Sequence, residues 1–247
     1  MIISAIIITY NEERNIRDCL ESLKWVNEII VVDAESQDKT TKIAEELGAR
    51  TYSQKWQGYG KQKNYALGKA TGDWILSIDA DERITPELAK EIVEKLTNPS
   101  FSGYKIPRKA YFLGRWIRHS GWYPGYVLRL FQAGMARFAE KEVHEYVELN
   151  SKAGYLKNHL LHYTDDTLDH YLDKFQKYTT LASKELYVHG KRASLSDLFL
   201  RPILFFLKMY IAKGGFLDGI HGFILATLSS FYVFVKYAKL WEKEKGI

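Results

Sequence analysis

Three short apolar runs, each closed by a polar or acidic cluster, restrict the folds open to this chain more than any other feature. Residues 2–9 end in Thr9-Tyr10-Asn11, residues 28–33 in Asp33, and residues 73–79 in Asp79-Ala80-Asp81-Glu82. Continuous runs of Ile and Val at this length suit parallel strands buried on both faces. Helical periodicity fills the gaps. After Asn11, a good N-cap, Ile16, Cys19, Leu20 and Leu23 recur on one helical face. A second helix is predicted over residues 38–47, with Gly48 as its stop. Thr85-Pro86-Glu87 reads as N-cap, first-turn proline and first-turn acid ahead of Leu88, Ile92 and Leu96. This alternation predicts an α/β fold: a Rossmann-like open, mostly parallel sheet flanked by helices. Such sheets bind ligands beyond the carboxyl ends of their strands, where the polar clusters fall.

At 247 residues the chain has room for one domain with a C-terminal extension and a sizeable core. With 46% hydrophobic and 26% charged residues it is neither a disordered chain nor a multi-span membrane protein. Its single cysteine, Cys19, excludes a disulfide framework and a multi-cysteine zinc site, and suits a reducing compartment. The formal charge of +5 favours anionic partners without choosing among them. The basic residues are dispersed and match no nucleic-acid reading motif, so no nucleic-acid partner is expected. The opening apolar run lacks a basic flank and a cleavage site, and is read as a first strand and not a signal peptide.

Residues 100–161 break into short aromatic stretches without clear period, predicting loops and minor strands that shape a pocket. Leu168, Tyr171, Leu172, Phe175, Tyr178, Thr179 and Ala182 then form an amphipathic stripe. Residues 195–235 are the most apolar part of the chain, but their longest uncharged stretch, 222–235, is short of the ~20 residues a spanning helix needs. Lys236, Lys239 and Lys243 follow it on one helical face. Apolar bulk with aromatics and flanking lysines predicts a helix pair lying in a membrane interface; packing on the main core or a dimer contact is the alternative.

The familiar phosphate loops are absent. No glycine follows the first strand, Gly58-Tyr59-Gly60 has Lys63 where a third glycine belongs, and Gly68-Lys69 lacks the rest of a P-loop. His144-Glu145 lacks the second histidine of a zincin. Strand-end acids remain. Asp33 alone is open to a second reading as a helix cap. Asp79 and Asp81, one residue apart after a buried strand, suit Mg²⁺ or Mn²⁺, which take the rest of their shell from water and substrate phosphates. A solvated acidic turn is the other reading.

Together, Ile6-Ile7-Ile8-Thr9-Tyr10-Asn11-Glu12-Glu13, Val31-Val32-Asp33 with Ser36 and Asp38, and Asp79-Ala80-Asp81-Glu82 resemble, in order and spacing, the family 2 glycosyltransferases of GT-A fold. The resemblance implies that Thr9, Tyr10, Glu12 and Asp33 hold a nucleotide, and that Asp79 and Asp81 bind the metal and the sugar-nucleotide diphosphate. It implies, more weakly, a donor-side role for Lys63 beside Asn64. Gly121-Trp122-Tyr123-Pro124, Arg129-Leu130-Phe131, Val143-His144-Glu145 and Gly214-Gly215-Phe216-Leu217-Asp218-Gly219 resemble a bacterial branch. That branch includes lipopolysaccharide inner-core β-1,4-glucosyltransferases, and the chain departs from it at Gly125, where an acid is expected. The implied layout is a catalytic domain over 1–164, with a nucleotide-sugar half of about 1–99 and an acceptor half of about 100–164. A helical, membrane-associated extension over 165–247 follows.

The implied reaction is sugar transfer from a nucleoside diphosphate sugar, UDP-glucose favoured, to a glycolipid at the cytoplasmic face of the inner membrane. Glu145 is the candidate base, and direct displacement with one base inverts the anomeric carbon. A loop-capping role for Glu145 stays open, as does an ordinary half-buried state for His144. Arg129 is a candidate for the leaving group or for a structural ion pair. His162 is a candidate third metal ligand, fitting Mn²⁺ better than Mg²⁺, or a structural residue. A polyprenyl-phosphate or other glycan acceptor, a sugar-nucleotide nucleotidyltransferase and a non-catalytic membrane-surface module are the competing functions.

Overall fold

The computed structural model describes residues 1–140 and 146–246. The chain forms two compact units: Met1–Arg108 with Tyr126–His162, and Lys109–Gly125 with Tyr163–Ile247.

In the first unit the elements run β1 (Ile3–Thr9), α1 (Ile16–Glu21), β2 (Glu28–Asp33), α2 (Thr40–Glu46), β3 (Arg50–Ser53), α3 (Tyr59–Leu67), β4 (Trp74–Ser77), β5 (Glu82–Ile84) and α4 (Pro86–Thr97). β1 pairs in parallel with β2 and β4, and β2 with β3. Alternate residues of β1 serve opposite faces of the sheet. Ile3, Ala5 and Ile7 join α1 and α4 in one core, whereas Ile6 joins Ile30, Val32, Ile75 and Ala66 of α3 in another. Burial on both faces is why these strands read as continuous apolar runs. α4 starts as its sequence predicts. The Thr85 hydroxyl accepts from the Leu88 amide at 3.2 Å, Pro86 fills the first turn, and Leu88, Ile92 and Leu96 are buried.

Two expectations are corrected. Asn11 does not cap a helix; α1 begins at Ile16, with Asn15 before it. Asn11 lies in the left-handed region at φ 54°, and its side chain accepts from the Gln37 amide at 2.8 Å, so the chain after β1 is a tied loop. Residues 100–161 also hold more than minor strands. β6 (Gly103–Phe112), β7 (Arg115–Trp116), β8 (Gly125–Gln132), β9 (Ala136–Phe138), β10 (Val147–Leu149), β11 (Gly154–Tyr155) and β12 (Leu160–Asp165) follow α4. The sheet order is β3-β2-β1-β4-β8-β6-β12-β5, which puts β8 and β6 inside it. β8 is antiparallel to β4, and β12 to β5.

The second unit carries α5 (Leu168–Val188), α6 (Leu195–Leu198), α7 (Leu200–Leu207), a π turn over Lys208–Ala212, a 3₁₀ turn over Gly215–Asp218 and α8 (Gly219–Lys245). Phe112, Ile117, Met209, Leu225 and Ala226 form its core. α8 meets the 3₁₀ turn so closely that a Cβ on Gly222 would stand 1.9 Å from the Gly215 carbonyl oxygen. Val233 and Leu240 extend the buried stripe of α8, while Phe223, Phe231 and Trp241 face outward. Leu200, Ile203 and Leu204 of α7 are likewise exposed. The stretch Gly215–Lys245 holds an 18-residue window of mean hydropathy 1.3 and is, by length and composition, apolar enough to cross a membrane. The uncharged run alone had suggested less.

Candidate active site

The site lies in the first unit, at the carboxyl ends of β1, β2 and β4. Pairing of Thr9 with Asp33 across β1 and β2 brings their side chains together, and the Thr9 hydroxyl donates to Asp33 Oδ1 at 2.9 Å. Asp33 is 2% exposed and also accepts from the Ser36 amide (2.7 Å) and hydroxyl (2.6 Å). It therefore caps no helix; it organises the turn after β2. The loops after β1 and β2 are laced together: the Asn11 amide donates to Ser36 Oγ, the Glu12 amide to Thr40 Oγ1, and the Glu13 amide to Asp38. Glu12 accepts from the Asn15 side chain at 2.9 Å. Tyr10 is left outward, its ring exposed on a rigid platform.

Beside this platform, the turn after β4 gathers charge. The Glu82 amide donates to the Asp79 carbonyl, and Glu82 Oε2 accepts from the Asp79 amide at 3.0 Å, closing residues 79–82 into a tight unit. Lys63 of α3, nearly fully buried, reaches Asp79 Oδ1 at 2.9 Å. Arg129 of β8 donates to Asp79 Oδ2 and, at 2.7 Å, to the fully buried Glu82. Burial alone would push the Asp79 carboxyl up, but the Arg129 and Lys63 charges outweigh it and hold the group well below the usual carboxylate range. Arg129 is burdened by burial in the same way, and Asp79 and Glu82 lift it above its ordinary value. Cys19 lies 3.6 Å from the Asp79 carbonyl, and burial pushes its thiol up, so it is inert packing.

Asp81 faces elsewhere. His162 on β12 places Nε2 3.5 Å from Asp81 Oδ2, a position set by the pairing of His162 with Glu82 across β12 and β5. Among the described residues no three His, Cys, Asp or Glu side chains form a closed cation cage. Mg²⁺ and Mn²⁺ sites seldom need one. Ligands at about 2.1 Å in octahedral array stand roughly 3 Å apart, and the shell is completed by water and phosphate oxygens. The Asp81–His162 pair fits such a cation. Asp79 fits it less well, because each of its oxygens already serves a cationic side chain.

The structure thus brings together Asp79, Asp81, Lys63, Arg129 and His162, with Thr9, Tyr10, Glu12 and Asp33 along the same sheet edge. Glu145 and His144 lie outside the described residues. Two participants had no role assigned from sequence. Glu82 is the second anchor of Arg129, and its place in the Asp79–Glu82 cluster was its only signal. Arg108 of β6 is largely buried near Glu82, Asp79 and Asp81; burial pulls its guanidinium below the ordinary value, and its Nε has no hydrogen-bond partner. Nothing in the local sequence marks it.

In this mixed sheet the acids and buried cations gather beyond the carboxyl ends of the parallel strands, where open α/β sheets bind their ligands. Comparison with known proteins narrows the class. The model for Glycosyl transferase family 2 matches residues 4–160, and the chain belongs to that family and is a glycosyltransferase. It is 31% identical over 254 residues to the lipopolysaccharide core biosynthesis glycosyltransferase LpsC of Rhizobium meliloti, covering 98% of this chain and 92% of that protein. It is 33% identical over 257 residues to an uncharacterized glycosyltransferase of Rickettsia felis, covering 97% and 89%. Among solved structures, S. aureus TarS 1–349 in complex with UDP aligns over 100% of this chain and 92% of that one, at TM-score 0.52 and 17% identity. That likeness establishes the GT-A fold.

Proposed function

We propose that the protein transfers a hexose, glucose being favoured, from a UDP-sugar to a lipopolysaccharide core or similar glycolipid, with inversion at the anomeric carbon. The observation that carries this reading is the charged turn at residues 79–82, poised beside the laced loops after β1 and β2. The likeness to LpsC supports the acceptor class, and the UDP complex of TarS supports the donor class.

Tyr10 offers its exposed ring to the nucleotide base, and Thr9 and Asp33 fix the loops that cradle the ribose. Lys63, Arg129 and Arg108 set positive charge where the diphosphate lies. Asp81 and His162 would hold a divalent cation, which supplies charge neutralisation to the departing diphosphate. Glu145 takes the proton of the acceptor hydroxyl as its oxygen bonds to the anomeric carbon. The bond from that carbon to the diphosphate breaks, and its electron pair leaves with the nucleotide. The exposed apolar faces of α7 and α8 suit a membrane surface, so the enzyme works as a peripheral protein at the cytoplasmic face of the inner membrane.

The test is a transfer assay with UDP-glucose and purified lipid A-core, with the product's anomeric configuration read by NMR. A β-linked product from the α-linked donor is expected. Transfer of a nucleotidyl group with pyrophosphate release, or activity only on polyprenyl phosphate, would overturn the assignment.

A further inference from the structure

The segment 214–219 stood out in the sequence, yet it does not belong to the donor site. It lies in the second unit, where its Leu217 and Asp218 line a pocket of about 360 Å³ together with Arg115, Trp116, Arg118 and His119. Asp218 is the frame of this pocket and not its charge. Its carboxylate accepts from the backbone amides of Arg118 (3.2 Å) and His119 (2.9 Å), and stands 3.0 Å from His119 Nδ1. A turn with positive φ at Gly214 and Gly219 carries it there, and the Gly222–Gly215 contact locks that turn.

The cations around it are differently placed. Arg118 stacks on the Trp116 ring with Cζ 4.4 Å from the centroid, and Lys109 approaches the same ring at 4.8 Å. Neither Arg115 nor Arg118 meets a carboxylate among the described residues, although Arg115 Nη1 lies near Gly219 at the pocket's edge. The indole N–H of Trp116 is buried and has no hydrogen-bond partner. Arg118 and Lys109 on one indole, with Arg115 lining the same pocket, make a site for a tetrahedral oxyanion, since guanidinium forks match phosphate oxygens. One wall is apolar. Leu217 is exposed, and Phe216 and Ile220 beside it are exposed as well.

We infer that this pocket binds the phosphate of a membrane lipid, with Arg115 and Arg118 on the headgroup and Leu217 against the acyl region. The anion belongs to a lipid because the cationic lining runs directly into exposed apolar side chains, an arrangement that a free anion in water does not require. The inference rests on the membrane-surface reading of the second unit.

The test measures binding of the full chain to vesicles of phosphatidylcholine with and without phosphatidylglycerol, by flotation, for wild type and Arg115→Gln/Arg118→Gln. A cation near an anionic surface strengthens binding about fivefold, so the double variant is expected to lose roughly thirtyfold on the anionic vesicles and nothing on the neutral ones. Hydrolysis of the donor sugar in the absence of acceptor should be unchanged, which shows that the variant is folded. Equal binding of variant and wild type to anionic vesicles would overturn the proposal. So would calorimetric binding of inorganic phosphate as tight as that of the lipid. Failure of the wild type to bind any vesicle would instead remove the membrane reading itself.

Discussion

Lys63 Nζ stands 2.9 Å from Asp79 Oδ1, so the first acid of the 79–81 pair is spoken for before any ligand arrives. Arg129 takes the other oxygen. The two neighbouring aspartates therefore have different work. Asp79 binds the cationic side of the site together, whereas Asp81 meets His162, the pair that on the proposed reading would hold a divalent ion.

The first consequence is a pH dependence. A carboxyl held below its unfolded value stabilises the fold fully above the ordinary aspartate range near 4, and this stability is lost as pH falls toward the folded value. The Tm difference between wild type and Asp79→Asn should be constant from pH 8 to about 5 and shrink below about 4. A gap that widened in acid would contradict the ion-pair account.

Metal affinity separates the roles. Loss of even an outer-shell partner typically costs about 10–100-fold in affinity. His162→Ala should therefore weaken Mn²⁺ binding at least tenfold in the presence of UDP, by calorimetry, while Mg²⁺ binding changes less because imidazole is a poorer ligand for it. Unchanged Mn²⁺ affinity would return His162 to a structural role.

Much of this site was legible early, and the reasons are local. The Ile/Val runs of β1 and β2 are buried on both faces, so they announced themselves. So did α4, whose cap, proline and apolar stripe all agree. β6 and β8 did not. β6 contains Lys105, Pro107, Arg108 and Lys109, and a proline and three cations disguise a strand inside the sheet. The partners of Asp79 were hidden for another reason: Lys63 and Arg129 come from α3 and β8, and only sheet topology brings them together.

In the second unit, Gly222→Ala tests the close approach of α8. The added Cβ would collide with the Gly215 carbonyl oxygen, so α8 must shift. Overpacking of this kind costs about 1–3 kcal/mol, to be read as a lower urea midpoint with the slope unchanged. Wild-type stability would mean that the contact relaxes freely.

The base assignment is kinetic. Glu145→Gln should bind donor as wild type does and lose about 10²–10⁴ in kcat, the usual share of a general base. Turnover near normal would remove Glu145 from the reaction.

The central claim is that an activated sugar nucleotide and a cation meet at the turn after β4. Calorimetric titration of wild type and Asp81→Asn with UDP-glucose, with and without Mn²⁺, tests it most directly. The account predicts binding that is strong only with Mn²⁺ in the wild type and Mn²⁺-independent and weak in the variant. Equal, metal-responsive binding by both proteins would contradict it.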